Sequence, residues 1–252
     1  MRFEQINGRC YGRFERLGVE PGLVHAFATR PLNVAPRNGA GAAERAANRA
    51  MMAADLGFDP GRLAFCQQVH GTALVVVDAE HPGGSLGECD GAVTSAVNLP
   101  LMTFSADCPL VLLFDSRRHV LGLVHASWRC TVAQLASKLV QLMSVRCGCQ
   151  PGDMLAGIGP GAGPCCYEVQ DDVYQAAAPL ADRQRLFVRR DGRLFFDLWE
   201  ANRAQLRAAG LPTENIESAD ICTLCRNDIF YSYRREGPGC GHFGLMAGLR
   251  RL

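Results

Sequence analysis

The chain has 252 residues, of which 48% are hydrophobic and 20% are charged, so it can bury a substantial core in one large domain or two small ones. Its 26 Lys and Arg residues against 25 Asp and Glu residues leave a net charge of +1. No run of five like charges occurs, which argues against a general affinity for nucleic acid or membranes and favours a small-molecule ligand.

The amino terminus and the cysteines bear on the cellular compartment. No apolar signal-peptide core follows Met1, and no stretch approaches the ~18 apolar residues of a membrane span, so we expect a cytoplasmic protein. Without an export signal, the 12 cysteines are expected to be thiols, some of them metal ligands, and not disulfides.

Short apolar runs predict strands along the whole chain. The predicted strands span residues 22–29, 63–66, 72–78, 92–95, 99–104, 110–114, 120–124, 154–158, 216–221 and 243–249. A turn-rich loop is predicted at 82–87.

Helical periodicity predicts helices over 42–56, from 132 to at least 143, and over 196–209. We expect Thr131 with Gln134, and Asp197 with Glu200, to form the capping boxes of the last two. The whole pattern predicts a single mixed α/β (α+β) domain over residues 1–252, with buried mixed β-sheets flanked by helices.

Three candidate metal ligands lie at the ends of apolar runs, namely His70, Cys108 and His125. Their separations of 38 and 17 residues match no local zinc-finger spacing, so only the fold can unite them. Two imidazoles and one thiolate would give zinc three ligands and leave a fourth position open for catalysis. Each residue alone could instead be a buried structural side chain, and Cys108 with His125 also fits a metal-free nucleophile and base.

Several charged side chains are candidates for substrate binding, and the Arg234-Arg235 pair near the end of the chain is one of them. Arg30 ends the first predicted strand, and Arg129 lies between His125 and a predicted helix start, where a guanidinium can hold phosphate with two hydrogen bonds. Arg129 could equally brace the loop through backbone carbonyls. Asp107 could orient a ligand or stabilise a turn.

Four motifs occur in order across most of the chain. They are Ser-Ala-Asp-Cys at 105–108, His-Ala-Ser-Trp-Arg-Cys at 125–130, Gly-Pro-Cys-Cys-Tyr-Glu-Val at 163–169, and Cys-Thr-Leu-Cys at 222–225 followed by Phe-Tyr-Ser-Tyr-Arg-Arg at 230–235. In combination these motifs resemble the YfiH, or laccase-domain, family.

The resemblance implies a YfiH-like enzyme with one zinc ion per chain, held by His70, Cys108 and His125. It implies purine nucleoside and phosphate as substrates: phosphorolysis of adenosine, inosine, guanosine or methylthioadenosine, together with deamination of adenosine. Family members also carry a polyphenol oxidase label, which would require copper. We regard copper as the less favoured alternative, because the chain has six histidines and no His-x-His pair.

This chain departs from the family pattern beside the predicted metal. The family usually reads His-Ala-Gly-Trp-Arg-Gly where this chain has Ser127 and Cys130, and it has Gly-Arg where this chain has Gly241-His242. The added side chains are expected to narrow the pocket, and Cys130 could compete for the metal or become oxidised.

A second thiol group lies late in the chain. Cys222 and Cys225 form a C-x-x-C pair, with Cys240 and His242 following, a set that could hold a structural zinc ion or exchange disulfides. We favour reduced, partly buried thiols there, since the resemblance requires no second metal.

Overall fold

A computed structural model describes residues 1–36 and 41–251. It confirms a mixed α/β fold, which in this part of the chain has sixteen strands in three sheets and six α-helices. The strands are β1 (Arg2–Ile6), β2 (Arg9–Arg13), β3 (Leu23–Ala28), β4 (Ala64–Gln67), β5 (Leu74–Val77), β6 (Gly84–Glu88), β7 (Gly91–Thr94), β8 (Leu101–Ser105), β9 (Leu110–Asp115), β10 (Val120–His125), β11 (Met154–Ile158), β12 (Glu168–Val169), β13 (Phe187–Arg190), β14 (Arg193–Phe196), β15 (Ile216–Ser218) and β16 (Phe243–Leu249).

The helices are α1 (Ala42–Asp55), α2 (Trp128–Val132), α3 (Leu135–Cys147), α4 (Asp171–Ala176), α5 (Leu198–Ala208) and α6 (Tyr233–Glu236). None of the helices in residues 1–36 and 41–251 combines the length and apolar character that crossing a bilayer requires.

The first sheet has the order β1-β2-β3-β16-β8-β4-β6, in which β4 runs parallel to β6 and β8. The second has the order β15-β11-β9-β10-β7-β5, with parallel pairs at both edges. The third, β12-β14-β13, is antiparallel. Both large sheets are therefore mixed, as the sequence predicts.

Strands β9 and β10 are buried along their whole length because both faces of the second sheet are covered. Leu112 and Phe114 of β9 pack in the core shared with the first sheet, whereas the alternate residue Leu113 packs in the core formed with α3 and α5. A Cβ at Gly122 would lie 3.0 Å from Leu139 of α3, so this glycine allows the helix to approach the sheet closely.

Sequence patterns locate the buried strands better than the edge strands. Strands β11 and β16 match the predictions for 154–158 and 243–249. The loop prediction for 82–87 is wrong, because β6 pairs with β4 at the sheet edge through backbone hydrogen bonds that need no apolar side chains. Strands β1 and β2, which pair with each other near the other edge, were not predicted.

The predicted capping box at Thr131 and Gln134 is also wrong. The helical segment begins earlier, at Trp128, where the Ser127 hydroxyl accepts a hydrogen bond from the Cys130 backbone N–H at 3.3 Å. Gln134 has a left-handed φ of 60° and separates α2 from α3. The predicted Asp197 cap of α5 is present, since its carboxylate accepts a bond from Glu200 N–H at 2.9 Å.

Candidate metal centre and pocket

A cavity of about 780 Å³ opens where loops from the two large sheets meet. Its walls come from the segments after β4 and β8, the end of β10, the residue before β12, and α6. Among the residues proposed from sequence, His70, Asp107, Cys108 and His125 line this cavity.

The fold brings the three candidate ligands together. Each of His70, Cys108 and His125 offers one potential ligand atom, and the three atoms lie within 4.8 Å of one another. His125 ends β10 and pairs with Leu110 of β9, so Cys108, two residues before Leu110, is placed beside it. The loop after β4 supplies His70, whose ring meets that of His125 edge-on with centroids 4.9 Å apart.

Asp90 organises this group, and its importance was not predicted. Its buried carboxylate accepts hydrogen bonds from the backbone N–H groups of Val69 (3.1 Å), His70 (3.1 Å) and Gly71 (2.7 Å). It also bonds His125 Nδ1 at 3.0 Å. The only sequence signal was a carboxylate before a glycine at the start of a predicted strand.

The Asp90 contact decides which ring nitrogen of His125 faces a ligand. Burial works to raise the pKa of Asp90, but its hydrogen bonds from His125 and the backbone lower the pKa, so the carboxylate is ionised. An ionised carboxylate only accepts hydrogen bonds; therefore Nδ1 of His125 carries a proton, and Nε2 is the nitrogen that a metal ion would bind. Burial and the neighbouring His125 lower the pKa of His70, which also favours a neutral imidazole.

The environment of Cys108 favours a metal ligand over a free nucleophile. Burial and the charge of Asp107 raise the pKa of this thiol well above its usual range. Nucleophilic cysteines instead have a lowered pKa, whereas a coordinating cation removes the thiol proton directly. Two imidazole nitrogens and one sulfur suit zinc, so the residues present fit this metal.

Asp107 connects separated parts of the pocket wall. Its carboxylate accepts hydrogen bonds from the Thr223 hydroxyl at 2.6 Å and from the Arg234 backbone N–H at 2.7 Å. The residue itself has a φ of 101°, in the left-handed region. These bonds brace the turn that presents Cys108, while a direct contact of Asp107 with substrate stays a prediction.

The predicted substrate cations Arg30 and Arg129 are not among the residues that line the cavity. Arg30 pairs with Glu236 at 2.5 Å, and the exposed Arg129 stacks on the Trp128 ring at 4.2 Å. Arg234 does line the cavity; its guanidinium donates to the Glu168 carbonyl and lies 5.1 Å from the Tyr167 ring centre. Of the cations that the sequence offers for phosphate, Arg234 is therefore the one that lines this cavity.

The unusual residues Ser127 and Cys130 contact each other. The Ser127 hydroxyl donates to Cys130 Sγ at 2.9 Å, and burial raises the pKa of Cys130 to about 11. Cys130 forms a potential metal group with Asp90 and His125, but it is not grouped with Cys108 or His70. It therefore lies beside the Asp90–His125 contact.

The thiols predicted to accompany Cys222 and Cys225 are different ones in the structure. Among the described residues, Cys222 and Cys225 group with Cys165 and Cys166, while Cys240 and His242 belong to none of the three potential metal groups. His242 instead lines the large cavity. The predicted set is wrong because Cys240 and His242 lead into β16 of the first sheet, whereas the loop between β11 and β12 supplies the thiols beside Cys222 and Cys225.

Comparison with known proteins places the chain in a family. The model of the family described as multi-copper polyphenol oxidoreductase laccase matches residues 20–250. The chain belongs to this family and is an enzyme of it, which confirms the laccase-domain resemblance.

Two relatives and one solved structure illustrate the similarity. The purine nucleoside phosphorylase YlmD of Geobacillus stearothermophilus is 33% identical over 213 residues, covering 81% of this chain and 78% of the relative. The adenosine deaminase RL5 of an unknown prokaryotic organism is 32% identical over 203 residues, 77% of each chain. The crystal structure of YlmD from Geobacillus stearothermophilus has a TM-score of 0.91 at 29% identity over 99% of both chains.

Proposed function

We propose that this enzyme cleaves purine nucleosides with phosphate and deaminates adenosine, using one zinc ion held by His70, Cys108 and His125. The observation that carries the proposal is the convergence of these three side chains, within 4.8 Å, on a cavity of about 780 Å³. A cavity of this size suits a nucleoside together with phosphate. The names of the relatives supply the two reactions.

The protein's own residues would hold and orient the reactants. When bound, zinc supplies Lewis acidity beside the substrate. Asp90 fixes the ring of His125 with Nε2 available, and Asp107 braces the turn that carries Cys108. These contacts keep the ligand atoms in place without reorganisation during the reaction.

The cavity walls offer complementary surfaces for the two substrates. Phe104, Tyr167 and Tyr233 present aromatic surface suited to a purine or ribose ring. Arg234 supplies a cation for phosphate. The charge of Arg129 makes a small contribution that lowers the pKa of His70 and of Tyr167, so this second cation also lies close to the cavity. Holding phosphate near the anomeric carbon would promote loss of the base by position and charge.

Product analysis of the purified protein with adenosine, with and without phosphate, tests the proposal. Free adenine that appears only with phosphate indicates phosphorolysis, and inosine indicates deamination. Cys108→Ala should lose both the metal and turnover, whereas Cys147→Ala, a half-buried cysteine at the end of α3, should keep both. Normal zinc content and normal turnover in Cys108→Ala would disprove the assignment.

Two alternatives have less support. Phenol oxidation by several coppers needs clustered imidazoles, and no potential metal group in the described part of the chain holds more than two histidines. A metal-free hydrolase is disfavoured by the raised pKa of Cys108, and activity that survives chelation would favour it. The single catalytic domain over 1–252 and the cytoplasmic location stay predictions.

A further inference from the structure

Two surface loops bring four cysteines together outside the proposed catalytic centre. Cys165 and Cys166 lie between β11 and β12, and Cys222 and Cys225 lie between β15 and α6. Their four Sγ atoms lie within 4.8 Å of one another, and all four are free thiols. Cys222 is buried, whereas Cys165 and Cys225 are exposed.

The distances between the sulfur atoms match a tetrahedral metal site. Cys225 Sγ lies 3.7 Å from Cys165 Sγ and 3.5 Å from Cys166 Sγ. Four sulfurs at about 2.3 Å from a zinc ion are about 3.8 Å apart along the edges of a tetrahedron. A disulfide would require about 2.05 Å. These two distances, with all four sulfurs within 4.8 Å of one another, fit a single ion held by four thiolates.

The backbone holds the two loops in register before any metal binds. Gly161 N–H donates to the Ile221 carbonyl at 3.1 Å, and Thr223 N–H donates to the Gly161 carbonyl at 3.0 Å. The C-x-x-C segment closes a turn in which Arg226 N–H donates to the Cys222 carbonyl at 2.8 Å. The four sulfurs are therefore preorganised by pairing of the main chain.

A backbone donor also contacts the buried sulfur. Gly163 N–H donates to Cys222 Sγ at 3.4 Å. Hydrogen bonds that stabilise a thiolate support it as a metal ligand.

Two arginines lie against the loops where a tetrathiolate ion would carry excess negative charge. Arg190 donates to the carbonyls of Pro164 (2.7 Å) and Cys165 (3.1 Å). Arg235 donates to the Leu224 carbonyl at 2.5 Å. Both guanidinium groups therefore lie beside the loops that carry the four cysteines.

We propose that Cys165, Cys166, Cys222 and Cys225 bind a second zinc ion as a structural site. On binding, each thiol loses its proton to solvent, four zinc–sulfur bonds form, and no oxidation state changes. Four protein ligands leave no open position, which distinguishes this site from the catalytic one.

The zinc ion would fasten the wall of the large cavity. Tyr167, which lines the cavity, directly follows Cys166, and Thr223, which directly follows Cys222, bonds Asp107. Asp107 in turn precedes Cys108. The second site therefore positions both the aromatic wall and the turn that presents Cys108, without touching the substrate.

Metal analysis of protein purified with thiol protection tests the proposal, with no need for turnover. We expect two zinc ions per chain in the wild type and one in Cys108→Ala. X-ray absorption of Cys108→Ala should show four sulfurs at about 2.3 Å. Cys225→Ser should lose this ion and keep one with mixed nitrogen and sulfur ligands. Cys240→Ser, the matched control, should keep both.

The proposal of a second zinc site would be wrong if the wild type held a single zinc ion that is absent from Cys108→Ala, or if the spectrum of Cys108→Ala showed nitrogen ligands. Iron in place of zinc, or a disulfide between these cysteines, would also contradict it. Loss of an ion in Cys240→Ser would also contradict it. If Cys225→Ser fails to fold, the wild-type count and the Cys108→Ala spectrum still decide. A protein without nucleoside activity but with the sulfur-bound zinc would refute only the catalytic proposal.

Discussion

Replacing Asp90 by Asn should weaken the metal centre although Asp90 is not a ligand in the proposed site. One carboxylate oxygen accepts from Val69 and Gly71 N–H, and the other accepts from His70 N–H and His125 Nδ1. In asparagine an NH2 group, which cannot accept a hydrogen bond, replaces one of these oxygens. Two of the four donors therefore lose their acceptor.

The magnitude follows from those two lost bonds. A fully buried donor left without a partner costs about 1–3 kcal/mol; because the three backbone donors are only partly buried, Asp90→Asn should lower the free energy of unfolding by about 1–3 kcal/mol in total. Because His70 and His125 lose their orientation, zinc affinity should fall about 10–100-fold, the usual effect of disturbing a residue that orients metal ligands. Competition with a chromophoric chelator measures the affinity, and urea unfolding measures the stability.

Asp115→Asn is the matched control. Asp115 is also buried, but a single oxygen accepts from both Arg117 and Arg118 N–H, so an amide oxygen can keep both bonds. It lies at the opposite end of β9 from Leu110, the partner of His125. Its zinc affinity should equal that of the wild type. Wild-type affinity in Asp90→Asn, or an equal loss in Asp115→Asn, would refute the reasoning.

Three further predictions concern acid stability, phosphate binding and packing. Burial lowers the pKa of His25 to about 3, and its Nε2 accepts the Phe14 N–H, so the folded ring is neutral. In the unfolded chain the pKa of this ring is about 6.5, so lowering the pH from 6.5 toward 3 protonates the unfolded state and destabilises the fold. The free energy of unfolding should fall by roughly 2 kcal/mol between neutral pH and pH 5. A pKa near 6.5 for folded His25 in an NMR titration would contradict this prediction. Arg234→Ala should raise the KM for phosphate about tenfold or more in steady-state kinetics. Arg30 pairs with Glu236 and does not line the cavity, so Arg30→Ala should change this KM little. Equal effects of the two substitutions would argue against phosphate binding by Arg234. Gly122→Val should destabilise the fold by about 1–3 kcal/mol in urea unfolding because its side chain would press on Leu139 and Met143, and unchanged stability would show that α3 moves freely.

The local sequence determined the buried strands and the positions of the three candidate ligands. Continuous apolar runs predicted β9 and β10 because both faces of that sheet are covered, and Asp197 marked the start of α5 through a contact three residues away. His70, Cys108 and His125 were recognisable as reactive residues where apolar runs end. These signals depend on neighbouring residues, so the sequence alone carries them.

Only the tertiary structure decided which distant side chains meet. The pairing of β10 with β7 and β9 places Asp90 and Cys108 beside His125, and no local spacing encodes that arrangement. The same holds for the second thiol group: the backbone bridge between Gly161 and Cys222 joins segments some sixty residues apart and gives Cys222 the partners Cys165 and Cys166 instead of Cys240. Such contacts depend on strand order and loop path, because hydrogen bonding between strands fixes positions that sequence distance does not.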